Sequence, residues 1–186
     1  MIRPFEPADG EAVAALLDED FVAHVLTGPG VRHWLTNQPA RAHARSWVAV
    51  AGKDVIGWSR ARLQWATSAE GVAELWAFVR PPSRRRGVGA ELYDVGRQHL
   101  ASVGGRSLES WSSDEEGGRF LAARRFRAVR ALHVLRLDLL GANLSGFAEL
   151  RAEKEAQGYS LVPFAAVAHR AKEFHALDAA ANADVP

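Results

Sequence analysis

The chain has 186 residues, 48% of them apolar, and a formal net charge of +1, so it can build a packed core and has no overall charge to draw it to nucleic acid or a membrane surface. It contains no cysteine, which excludes disulfides, thiolate metal sites and a cysteine nucleophile, and fits a reducing, cytoplasmic setting. Met1 to Glu6 form no apolar signal region and no run approaches the ~20 apolar residues of a membrane span, so a soluble protein without a membrane partner is expected.

Ile2 to Phe5 reads as a short first strand, ended by Pro7-Ala8-Asp9-Gly10, with Asp9 as a candidate helix cap. Ala12, Val13, Leu16 and Leu17 follow at helical spacing. Thr27-Gly28-Pro29-Gly30 reads as a break, and residues 31 to 45 as a second helix and a loop. Ser46 to Ala51, a turn at Gly52-Lys53-Asp54, and Val55 to Trp65 predict a hairpin. In its second strand Val55, Gly57, Ser59, Ala61 and Leu63 share one parity; Ile56, Trp58, Arg60, Arg62 and Gln64 share the other. A polar loop, Ala66 to Gly71, precedes a strand from Val72 to Arg80, with Glu74, Trp76 and Phe78 on one face.

That strand runs into Pro81-Pro82-Ser83-Arg84-Arg85-Arg86-Gly87-Val88-Gly89-Ala90. The prolines cannot continue a ladder. Gly87 and Gly89 let the backbone approach a ligand closely. A helical stripe of Val88, Leu92, Val95 and His99 begins here, so the amides of Arg86 to Ala90 lie at a helix N-terminus without intrahelical acceptors. Arginines, glycines and bare amides at a helix start make an anion cradle, and the expected anion is a pyrophosphate. The spacing matches neither G-x-x-x-x-G-K-[ST] nor G-x-G-x-x-G.

Gly104-Gly105 ends the helix, and Leu108 to Trp111 reads as a short strand. Asp114 is placed to cap a helix reaching Arg124, and two closing strands are expected, Phe126 to Arg130 and Leu132 to Leu139. After Leu140, residues 144 to 157 suggest a helix, Tyr159 to Val162 a strand, and Ala165 to Ala181 another helix. Seven histidines show no metal-ligand spacing, so no metal site is expected.

Arg84-x-x-Gly87-x-Gly89, with Val79-x-Pro81 before it and Leu92 after it, resembles the [Q/R]-x-x-G-x-[G/A] acetyl-CoA signature of the GNAT acetyltransferases. The Ile-Arg-Pro start, and Gly118 to Phe126 set against the family's F-Y-x-x-x-G-F, extend the resemblance over residues 1 to about 140. It implies an α/β GNAT fold, a mixed twisted sheet with helices on both faces, with the co-substrate entering where the fourth and fifth strands part. Residues 141 to 186 resemble the start of the second half of tandem GNAT proteins and are expected as an α-β-α arm.

The implied activity is acetyl transfer from acetyl-CoA to an amine of a small molecule or peptide. Glu74 stands where family members often place a general base, and apolar neighbours would raise its pKa. The bland alternative for Glu74 is a carboxylate paired with an arginine. By the resemblance, the backbone of Ala77, Phe78 and Val79 holds the pantetheine arm, Arg84, Arg85, Arg86, Gly87, Val88, Gly89 and Ala90 hold the phosphates, and Ser113 stands where many relatives use an asparagine. The family's acid tyrosine is replaced by Leu121, and its later glycine by Arg125. Two further readings stay open: a CoA-binding but inactive domain, and an interaction module using Arg124, Arg125, Arg127 and Arg130. The apolar residues of the arm predict a homodimer.

Overall fold

The period-2 runs of the first eighty residues become four strands: β1 (Ile2–Pro4), β2 (Arg45–Ala51), β3 (Asp54–Leu63) and β4 (Val72–Val79). A fifth, β5 (Ser107–Glu109), completes a sheet in the order β1-β2-β3-β4-β5. The first four are antiparallel neighbours, and β5 runs parallel to β4. The computed structural model describes residues 1–19, 26–65, 67, 69–131 and 137–182, which leaves Ala66 and Ser68 of the predicted loop outside the described residues. The chain divides into two compact units, Met1–Val134 and Leu135–Pro186.

Each face of the sheet is covered by helices. On one, α1 (Gly10–Asp18) and α2 (Gly28–Thr36) bury Val13, Leu16, Leu17 and Val31 against Val48, Val55 and Trp58. On the other, α3 (Val88–Ser102) buries Leu92, Tyr93 and Leu100 against Trp47, Ala49, Ala61, Ala73 and Leu75. The middle of that helix stripe is Gly96, where an added Cβ would lie 2.6 Å from Leu75 Cδ1. This close helix–sheet approach is therefore made by a residue without a side chain, which a search for apolar periodicity passes over.

Arg3 of β1 clamps Asp9 with two bonds of 2.7 Å, holding the carboxyl below its usual range and tying the first strand to the turn before α1. The expected break at Thr27 is instead the start of α2. Thr27 Oγ1 accepts from the Gly30 amide at 3.2 Å, and Pro29 sits in the first turn, where its missing N–H costs nothing. In the hairpin, the register shifts between Ala49 and Val50, and this bulge moves Val55 to the Trp58 face and Ile56 to the other, against the strict alternation expected.

After β5, Asp114 accepts from the Gly117 amide at 2.6 Å and caps α4 (Glu115–Ala122). Phe126 to Arg130 is not a strand, contrary to expectation, and most of Leu132 to Leu139 lies outside the described residues. In the second unit α5 (Gly146–Ala156) ends before Gly158. The predicted strand at Tyr159 to Val162 is not a strand: among the described residues its unit has no other strand to form a ladder with it. The last predicted helix comes in two pieces, α6 (Phe164–Val167) and α7 (Ala171–Asn182), joined by a 3-10 turn. Among the described residues no helix is long and apolar enough to cross a membrane.

Candidate active site

The strand that leads into the cradle has two edges, and register assigns each backbone group to one of them. The Val72 carbonyl accepts from Gln64 and the Arg80 amide donates to Ile56, so even-numbered residues of β4 point their backbone at β3. Odd-numbered residues point at β5. That ladder has only three pairs, Val72↔Ser107, Ala73↔Leu108 and Glu74↔Glu109. Beyond it the strands part, leaving the backbone of Ala77 and the amide of Val79 facing an open cleft. Phe78, expected to share this role, turns its backbone to β3 opposite Trp58.

The cleft has a volume of about 470 Å3. Ala77 and Val79 form one wall, Trp111 to Asp114 the other, and Phe120 of α4 the roof. Gly87 stands at its mouth with φ of 87°, a left-handed conformation that glycine adopts without strain, and caps α3. Gly89 is in van der Waals range of Val79 and Phe120, since a Cβ there would lie 3.6 Å from each; any longer side chain would project into the cleft. The Ala90 and Glu91 amides return to the Gly87 carbonyl. The amides of Gly87, Val88 and Gly89 are the ones a ligand can take, and Ala90 contributes only a small wall.

Arginine side chains were expected to hold phosphate here. The Arg84 guanidinium is instead a brace: Nε donates to the Val79 carbonyl at 2.8 Å and Nη1 to Asp114 at 3.1 Å. It fastens the end of β4 to the start of α4. Arg85, at φ of 61°, is largely exposed at the mouth and near Glu116, and Arg86 is exposed. Ser113 lines the cleft, whereas Val88, the first residue of α3, packs toward the sheet and Arg86 does not line the cleft.

Glu74 faces the other way, onto the α1–α2 side. It is buried on the face where Trp76 and Phe78 pack, and it is also paired: its Oε2 accepts from Arg62 at 2.6 and 2.7 Å, and its Oε1 lies 3.6 Å from Arg60. Arg62 stands directly across the strand pair from Glu74, and Arg60 from Trp76. The Arg60 guanidinium is buried between Trp34 and Trp76, 4.0 and 4.8 Å from the ring centroids. Burial, reinforced by Arg62, pushes it down to about 10. Sequence reading placed Arg60 and Arg62 on the Trp58 parity but could not pair them with Glu74 without the β3–β4 register. Trp58 is fully buried core, and Trp34 and Trp76 form this cage.

The position of the expected acid, Leu121, has no proton to give. Tyr93 of α3 carries a hydroxyl, but it is buried edge-on to Phe120 and Phe126 under the Arg124 guanidinium. Arg124 itself packs 3.5 Å over the Phe120 ring and bonds its carbonyl, so it is part of the α4 packing rather than a free basic patch. Arg125 has φ of 68°, keeping the left-handed turn that a glycine would make in the resembled motif. Among the described residues no cluster of three or more potential ligands could hold a metal ion.

Residues 10–126 match the model of the acetyltransferase (GNAT) family. A mycothiol acetyltransferase of Actinosynnema mirum is 33% identical over 138 residues, which make up 73% of this chain but 46% of that protein, so the chain spans about half the length of this curated relative. Two solved structures share the fold. One is an N-acetyltransferase of Staphylococcus aureus, 18% identical with a TM-score of 0.62, over 70% of this chain and 84% of that one. The other is the aminoglycoside N-acetyltransferase AAC(6')-Iy in complex with CoA, 20% identical with a TM-score of 0.56, over 74% and 99%. With the parted strands, the glycine-opened helix and the family model in agreement, the chain belongs to the GNAT family of acetyltransferases.

Proposed function

We propose that this protein moves an acetyl group from acetyl-CoA to an amine of a small molecule or peptide. The observation that carries this reading is the parting of β4 from β5 beside the bare amides of Gly87, Val88 and Gly89. When bound, acetyl-CoA supplies an activated acetyl thioester. The helix-start amides hold its pyrophosphate, and the Ala77 and Val79 backbone orients the pantetheine arm in the cleft. A strand amide facing the cleft stabilises negative charge on the carbonyl oxygen.

The amine must reach the site neutral, and a lysine-like amine is neutral only about one time in a thousand near pH 7.4. Glu74 is the proposed proton acceptor, acting through water at Oε1, the oxygen with the longer arginine contact, 3.6 Å to Arg60. In Glu74→Gln, kcat should fall ~100-fold and the pH–rate profile should lose its acidic limb. An unchanged profile would return Glu74 to the role of partner for Arg60 and Arg62. Leu121 and the packed Tyr93 favour a second reading, a domain that binds CoA without turnover. Calorimetry with CoA, and thiol release with an amine panel that includes aminoglycosides, separate the two. A reducing, cytoplasmic setting suits a chain without cysteine.

The arm is proposed to join two copies. Phe147, Leu150, Leu161, Phe164, Phe174 and Leu177 are all about half exposed or more, and burying such side chains is worth roughly 1.5–3 kcal/mol each. Sedimentation of the full chain should give a dimer, and of a version ending at Leu140 a monomer. Monomers in both would remove the arm from assembly.

A further inference from the structure

We infer that Ser110 is the hydroxyl that faces the sulphur of the bound thioester and holds the departing thiolate by a hydrogen bond. The inference rests on the proposed binding of acetyl-CoA in the cleft between β4 and β5. The β4–β5 ladder stops at Glu74↔Glu109. The carbonyl of Leu75, which the next ladder step would pair with the backbone of the neighbouring strand, is instead taken by Ser110 Oγ at 2.7 Å. The two chains diverge from that bond onward, and the cleft walls begin at the next residues, Ala77 and Trp111. Ser110 therefore sits at the closed end.

Polarity along the cleft fixes which end of the ligand arrives there. The phosphate cradle is at the mouth, at the start of α3. From Val79 back to Leu75 the strand spans about 13 Å, the direction in which the arm must run toward its sulphur. Of the other hydroxyls near the parting, Ser59 stands across from Ala77 on β3 but is fully buried. Ser112 donates to the Asp114 carbonyl and Ser113 lies beside it, both at the α4 end; Tyr93 is packed in the core. Nearby carboxylates are also committed: Glu109 is exposed and accepts from Gln64 at 2.6 Å, and Glu74 points to the α1–α2 face, between Arg60 and Arg62.

A serine hydroxyl is too weak an acid to surrender its proton near neutral pH. Its part is to rotate from the Leu75 carbonyl toward the sulphur and donate a hydrogen bond as negative charge develops. The C–N bond forms as the C–S bond breaks, the electron pair leaves on sulphur, and the proton lost by the amine passes to solvent through the base. The thiolate is protonated afterwards by water. A hydrogen bond to the charged form lowers the pKa of a bound thiol.

The test reads that pKa directly. Thiolate absorbance of CoA bound to the full chain is titrated against pH for the native protein, Ser110→Ala and Ser110→Thr, with affinity measured by calorimetry. Ser110→Ala should raise the apparent pKa of the bound thiol by about one unit, the worth of a hydrogen bond to a charged group, while Ser110→Thr leaves it in place. Retained CoA binding with the same titration in Ser110→Ala overturns the assignment to Ser110 alone. Failure of the native chain to bind CoA overturns the acetyl-CoA reading and this inference together.

Discussion

The two edges of β4 come from one eight-residue stretch and are used in opposite ways. Toward β3 the ladder is unbroken for seven pairs, and its α1–α2 face carries the charge cluster of Arg60, Arg62 and Glu74, with Arg60 stacked between Trp34 and Trp76. Toward β5 the ladder is abandoned after three pairs, and the freed backbone faces a cleft. One edge is rigid because its polar groups find each other within the protein. On the other, side chains take the Leu75 and Val79 carbonyls, and the Ala77 backbone and the Val79 amide are left toward the cleft. Packing the first edge tightly is what allows the second to stay open, since an inner strand pinned along one side keeps its shape without ladder bonds on the other.

The largest expected effect tests the open edge. Gly89→Glu sends a bulky carboxylate from the helix start into the cleft, against a pyrophosphate, and should lower CoA affinity by more than ~100-fold, equivalent to about 2.7 kcal/mol, with circular dichroism unchanged. Micromolar binding by the folded variant would remove the cradle from the binding site. The closed edge is tested by Arg60→Ala, which empties the space between two indoles and leaves Glu74 with Arg62 alone. A loss of about 2 kcal/mol is expected in urea unfolding, since Glu74 keeps Arg62 as its partner. CoA affinity of the same variant should stay within about threefold of the native value, because the edges add independently when they share no partner. A large loss of affinity would show that the two edges are one unit.

A smaller and opposite effect is expected at the end of α4, which roofs the cleft. Arg125 holds a left-handed turn that costs an ordinary residue roughly 1–2 kcal/mol, part of which glycine returns as unfolded-chain entropy. Arg125→Gly should therefore stabilise the fold by about 0.5–1 kcal/mol, seen as a higher denaturation midpoint with CoA affinity unchanged.

Local chemistry made much of this molecule readable from the sequence. Prolines, glycines and the switch from period 2 to helical spacing at Gly87 mark the cradle because each acts through its own backbone or its nearest neighbours. Asp114 declares its cap for the same reason. The faces of β4 follow from alternation, which placed Glu74 with Trp76 and Phe78. What tertiary structure decided is every pairing across strands. Arg60 and Arg62 meet Glu74 only through the β3–β4 register, and a bulge at Ala49 and Val50 sends Val55 and Ile56 to faces that alternation alone misassigns. The place where β4 leaves β5 depends on a hydroxyl 35 residues away, Ser110 on the Leu75 carbonyl. Arg84 looks like a phosphate ligand in sequence and becomes a brace because Val79 and Asp114 are brought beside it. Backbone conformation is written over a few residues, whereas the partner of a buried charge or an unpaired carbonyl is fixed only when distant segments meet.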